Sequence, residues 1–113
     1  MKIVDLETFL GLPRGTIFLK YEPCFFEDLR SKRSSIGNDF CSEDITAEIL
    51  CDDSDEFQKK LFSAHETGDS LLMDFDCGSR DGCFKSDQLF AVYEKSDLTM
   101  LIDKLNRCMA EAY

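Results

Sequence analysis

The stretch Leu71 to Phe90, LLMDFDCGSRDGCFKSDQLF, gathers Asp74, Asp76, Asp81, Cys77 and Cys83 around Gly78 and Gly82. Carboxylates at this density could hold a hard cation, and the two thiols could take a soft one or form a disulfide. An EF-hand loop wants oxygen ligands at its first, third and fifth positions, glycine at the sixth and glutamate at the twelfth. Counted from Asp74, those last three positions fall on Gly78, Ser79 and Lys85, so the frame fails. Asp74 and Asp76 share a strand face, and adjacent acids on an exposed strand are the commoner explanation. Zinc wants paired thiolates or imidazoles at short spacing, yet the chain has no CxxC and His65 is its only histidine. We expect no metal and no cofactor. A Cys77–Cys83 disulfide could close a hairpin here, but free thiols are the expectation for a cytosolic chain.

Other chemistries fare no better. His65 stands near the end of an expected helix, where an imidazole serves the helix dipole more often than it acts as a base. Carboxylate pairs are abundant, and in so acidic a chain they carry no specific message. There is no nucleophile elbow, papain-like cysteine motif, Walker A loop or GxGxxG. The run RSKR supplies Arg30, Lys32 and Arg33, which could cradle the phosphates of a small nucleotide signal. That loop is the alternative ligand-binding site. The expectation overall is a protein that is not an enzyme.

Charge points toward binding. Thirteen basic residues face 23 acidic ones, for a net −10. Such a field repels nucleic acid and favours a basic protein surface. No basic residue lies between Ser34 and Phe57, where Asp39, Glu43, Asp44, Glu48, Asp52, Asp53, Asp55 and Glu56 cluster. These residues, with Asp74, Asp76 and Asp81 as a second spot, are the expected partner-binding acidic surface. Phe25, Phe26 and the segment Leu89 to Tyr93 could add apolar anchors, although core packing is their more ordinary use. No apolar run is long enough to span a membrane. MKIVDLETFL meets Asp5 and Glu7 too early for a signal peptide, so a cytoplasmic location is expected, with most of the six cysteines as free thiols and several in the core.

The elements that would position these groups follow from periodicity. Asp5 caps a short helix carrying Leu6, Phe9 and Leu10, stopped by Pro13 and Gly15. GTIFLKYEP alternates with Ile17, Leu19 and Tyr21 on one face, Phe18 being the exception, and Pro23 closes it. FFEDLRSK is a weaker strand, and Gly37-Asn38 marks a turn. EDITAEILC places Ile45, Ala47, Ile49 and Cys51 opposite Asp44, Thr46 and Glu48, a half-buried strand. Asp53 with Glu56 makes a capping box for a helix over 54–66, with Phe57, Leu61 and Ala64 as its stripe and Gly68 beyond its end. SLLMDFD and QLFAVYE read as an antiparallel pair joined by the polar stretch DCGSRDGC, with Asp81-Gly82 supplying turn chemistry. In SDLTMLIDKLNRCMAEAY, Leu98, Leu101, Ile102, Leu105, Cys108, Met109 and Ala112 recur at helical spacing, with Ser96 as N-cap. That stripe is expected to bury on the sheet, a second copy being its other use. The fold class is α+β: one domain, 1–113, with a mainly antiparallel sheet of about four to six strands packed by two to three helices, the last of them amphipathic.

In its opening VDLETFLGLPRGTIFLKYEP, a short helix followed by LPxGT leading into a strand, and in its size and charge, the chain resembles small acidic accessory proteins of bacteriophage and prophage genomes, of the counter-defence (anti-CRISPR-like) type. The resemblance implies a non-enzymatic inhibitor of a bacterial defence system, acting on a nucleic-acid-binding partner in the host cytoplasm. It carries no functional residues over.

Overall fold

A computed structural model describes residues 1–46, 48–83 and 85–113. Its strands are β1 (Lys2–Val4), β2 (Ile17–Glu22), β3 (Phe25–Phe26), β4 (Arg30–Ile36), β5 (Asp39–Asp44), β6 (Gly78–Arg80) and β7 (Leu89–Val92). Its helices are α1 (Leu6–Leu10), α2 (Ser54–Thr67) and α3 (Lys95–Ala112). The strands form one antiparallel sheet in the order β1-β7-β2-β4-β5-β6, with β3 folded back on β2. The class is α+β as expected, with seven strands rather than four to six.

Local chemistry sets most boundaries. The Asp5 carboxylate accepts the Thr8 N–H at 2.8 Å and starts α1. Between β2 and β3, Pro23 supplies the fixed φ of a tight turn and Cys24 takes the left-handed conformation after it. Gly37, at φ +59°, turns β4 into β5. Asp53 accepts the Glu56 N–H at 2.8 Å while Glu56 accepts the Asp52 N–H, and Gly68 ends α2 in the left-handed region. Glu94, one turn ahead of Asp97, opens α3 in place of the expected Ser96.

The core is four phenylalanines: Phe9 from α1, Phe18 from β2, Phe40 from β5 and Phe90 from β7, all fully buried. Val4, Leu6, Leu10, Leu12, Cys83 and Val92 surround them. The face assignment of β2 is therefore corrected. Phe18, the apparent exception, is its core residue, because α1 lays Phe9 on that side of the sheet. Of the cysteines expected in the core, Cys83 packs half-buried against its edge; Cys41 and Cys51 are half-buried and Cys24, Cys77 and Cys108 exposed, all six as free thiols.

Two expected strands do not form. Past Asp44 the described residues leave the sheet, Ala47 of the expected strand lies outside the described residues, and Ile49 keeps a bridge to Met73. The expected strand SLLMDFD does not pair with QLFAVYE; β6, from inside the supposed loop, joins β5 instead. Strand β7 lies between β1 and β2. The final correction concerns α3, which has no buried residue and is exposed from Ile102 onward. The radius of gyration, 16.4 Å, exceeds the ~13 Å typical of this length because such elements stand off the sheet.

Candidate functional site

The acids singled out by sequence fall into two populations. The first is built into the sheet. Asp39, at the start of β5, is only 7% exposed. Its carboxylate accepts Arg80 Nε at 2.5 Å and the backbone N–H groups of Cys83, Gly82 and Phe40 at 3.0, 3.2 and 2.8 Å. These bonds, led by that from Cys83, hold the carboxyl at a pKa of about 2. Asp39 is thus the anchor of the 80–83 turn and not a contact surface.

Asp81 in that turn pairs with Lys20 at 2.7 Å and is also nearly buried. Its neighbour Gly82 adopts φ +71°, the turn chemistry expected there. On the adjoining strands Asp44 pairs with Arg30 at 2.6 Å and Glu43 with Arg33 at 2.9 Å, all four side chains partly covered. Eight charged groups of the sheet and its turn therefore pair with one another, and Asp39 with the backbone as well.

The same geometry occupies the expected phosphate cradle. A register shift between Lys32 and Ser35 places one extra residue in β4 against β5, a bulge that turns Lys32 inward. Lys32 is 2% exposed, and its ammonium donates to Leu12 O at 2.9 Å, Ser35 Oγ at 2.9 Å and Arg33 O at 3.4 Å. Ser35 Oγ donates in turn to Leu10 O, so this pair satisfies carbonyls left at the end of α1. Arg30 divides its donors between Ser42 and Asp44. Arg30, Lys32 and Arg33 hold the sheet and α1 together, and they present no open anion site.

The second population lies on an excursion, residues 48–77, inserted between β5 and β6. Its root is closed by Leu50 N–H to Leu72 O at 2.8 Å, Asp74 N–H to Glu48 O at 3.3 Å, and buried Ile49. Glu48, Asp52, Asp53, Asp55, Glu56, Glu66, Asp69, Asp74 and Asp76 stand here against Lys59 and Lys60, nine acids less two lysines, so the excursion holds −7 of the chain's −10. Asp52, Asp53, Asp55 and Asp76 are exposed; Glu48, Glu56 and Asp74 are half-covered. A hydrogen bond with Asp44, burial, and the charges of Asp44 and Asp74 push the Glu48 carboxyl up.

Apolar groups share this excursion. No residue of α2 is buried. Leu61 is exposed, Phe62 is 66% exposed, and Leu72 and Phe75 reach 75% and 65%. A groove of about 450 Å³ runs between α2 and the returning chain, lined by Leu50, Lys60, Ala64, Asp69, Leu71 and Leu72. Periodicity gives α2 a stripe of Phe57, Leu61 and Ala64 and puts Leu72 and Phe75 in a strand, and it does not mark Phe62, Leu72 or Phe75 as surface anchors. The available signal was the thinness of that stripe beside an acid-only run. Of the other apolar anchors considered, Phe25 and Phe26 are exposed on the β3 edge, whereas Phe90 is core.

Such a surface joins a dense negative charge to exposed apolar side chains. Among the described residues no three His, Cys, Asp or Glu side chains gather as a metal-ligand set. No described helix is long and apolar enough to cross a membrane. Compared with protein-family models, with curated proteins and with solved structures, the chain matches none.

Proposed function

We propose that this is a non-enzymatic binding protein that docks its 48–77 excursion on a basic protein surface. The observation that carries the reading is the coincidence, on one excursion, of a −7 charge and the exposed side chains of Phe62, Leu72 and Phe75. Acids of this density speed encounter with a cationic patch, and desolvated aromatic and aliphatic anchors then set the lifetime of the complex. The resemblance of the opening stretch to phage accessory proteins nominates a nucleic-acid-binding defence protein as that partner, which this protein would inhibit by occluding its basic face.

The test is capture from a bacterial lysate at low and high salt, followed by kinetics with the recovered partner. Asp52→Lys with Asp55→Lys should slow association roughly tenfold at low salt. Asp53 is left in place because its carboxylate caps α2. Phe62→Ala with Leu72→Ala should chiefly speed dissociation. A partner whose affinity ignores both salt and these substitutions would overturn the reading.

A further inference from the structure

The apolar stripe of α3 is independent of that docking surface and has a different electrical character. Lys95, Lys104 and Arg107 balance Asp97, Asp103 and Glu111, so α3 is neutral in a chain of −10. A strongly basic partner gains nothing electrostatic here, whereas a second copy meets no net repulsion from the helix itself. The stripe is also symmetric about one residue. Ile102 and Cys108 lie three positions either side of Leu105, Leu101 and Met109 four, and Leu98 and Ala112 seven. These are the spacings that share one helical face. Reversing the helix about Leu105 therefore returns the same apolar face, with the bulkier Leu98 and Leu101 opposite Ala112 and Met109. Leu105 is 57% exposed, and Ile102 and Met109 are likewise open.

We infer that α3 is a dimerisation helix that pairs antiparallel with α3 of a second copy, the two Leu105 side chains meeting on the two-fold axis. The interface is isologous, as a two-fold requires. Antiparallel pairing sets opposite helix dipoles side by side. It also places the two acidic bodies at opposite ends of a helix about 27 Å long, well beyond a Debye length of ~10 Å. Parallel pairing would bring those bodies together. The contact is a single helix pair, below the usual size of stable interfaces, so the dimer is weak and concentration-dependent.

Sedimentation equilibrium from about 10 µM to about 1 mM should show the mass rising from 12.9 kDa toward twice that value. Leu105→Glu should hold it at 12.9 kDa throughout. Because Leu105 is exposed, this variant should keep the thermal midpoint of the dilute wild type. Leu105→Cys in a Cys108→Ser background should form a 105–105 disulfide between copies under mild oxidation. Native Cys108 should not link to its mate, since the antiparallel register separates the two by six residues, about 9 Å along the axis. A monomer at every concentration, a dimer indifferent to Leu105→Glu, or a Cys108–Cys108 link would each overturn the inference.

Discussion

The ring of Phe9 lies flat on that of Phe90, centroids 3.9 Å apart and planes within 6°. Phe18 and Phe40 meet Phe9 edge-on at 4.7 and 4.9 Å. One short helix thus seals the sheet with Phe9 at the centre of its contact and Leu6 and Leu10 beside it. Phe9→Ala should cost about 3–5 kcal/mol, a large share of the 5–15 kcal/mol that folded domains typically hold. Urea unfolding followed by circular dichroism measures it. A loss under about 1 kcal/mol would mean that α1 is not what closes the core.

Asp39 ties β5 to the turn that follows β6, and its carboxyl is held at about 2. Asp39→Asn keeps the shape but loses the charge-assisted bonds, and should cost on the order of 2 kcal/mol at neutral pH. A carboxyl depressed in the folded state stabilises above its ordinary range near 4, and that contribution is lost as pH falls through the folded value. The stability gap between wild type and variant should therefore be constant from about pH 8 to pH 5 and close toward pH 2. An undiminished gap in acid would rule out ionisation of Asp39 as its source.

Glu48 has the opposite sign. Its folded carboxyl titrates above the ordinary glutamate range, so its charged form opposes folding at neutral pH. Glu48→Gln should raise the thermal midpoint at pH 7, and the gain should vanish in acid below the unfolded glutamate range, where both states are protonated. If the substitution lowers the midpoint at pH 7, the acid cluster with Asp44 and Asp74 is not repulsive.

Polar punctuation was the legible part of this sequence. Asp5, Asp53, Gly37 and Gly68 act through their own backbone and nearest turn, so each announces its role locally, and the bounds of α1 and α2 followed. Alternation misled where the outcome depended on a distant surface. Ile17, Leu19 and Tyr21 alternate as well as any core strand, yet which face is covered was decided by Phe9, beyond the reach of a period-two argument. Residues 44–51 and 71–76 also alternate, but the excursion 48–77 that takes in most of them carries −7, and a segment so charged gains less from lying over the sheet than from standing in water. The site suffered the same blindness. A list of acids does not separate Asp39, spent on Arg80 and three amides, from Asp52, exposed just past the root of the excursion.

Thiol chemistry gives a further check. Cys77 is exposed, yet some loss of solvation, with the carboxylates of Glu48, Asp74 and Asp44 nearby, pushes its thiol up. A raised thiol presents less thiolate at any pH below it, and thiolate is the species that alkylates. Cys77 should be carbamidomethylated several-fold more slowly at pH 8 than exposed Cys24, read by peptide mass spectrometry after timed quenching. Asp74→Asn should speed Cys77 selectively. Equal rates for the two cysteines would contradict the acidic surroundings assigned to Cys77.

The excursion that bears the docking surface hangs on a narrow root. Among the described residues, Ile49 is the buried side chain there, and two backbone bonds, Leu50 to Leu72 and Asp74 to Glu48, join the two sides. A segment joined so sparsely opens at lower free energy than the sheet that carries it. Ile49→Ala, which removes the apolar peg, should cost about 2 kcal/mol, the low end for a buried isoleucine with solvent close by. The loss should be local. Hydrogen exchange should quicken across α2 while amides of β2 and β7, behind the phenylalanine quartet, keep their protection. Partner binding should weaken in the same variant, because the apolar anchors and the acids are presented together only while the root is closed. Uniform loss of protection would instead join the excursion and the sheet in one cooperative unit, and Ile49 would then belong to the common core.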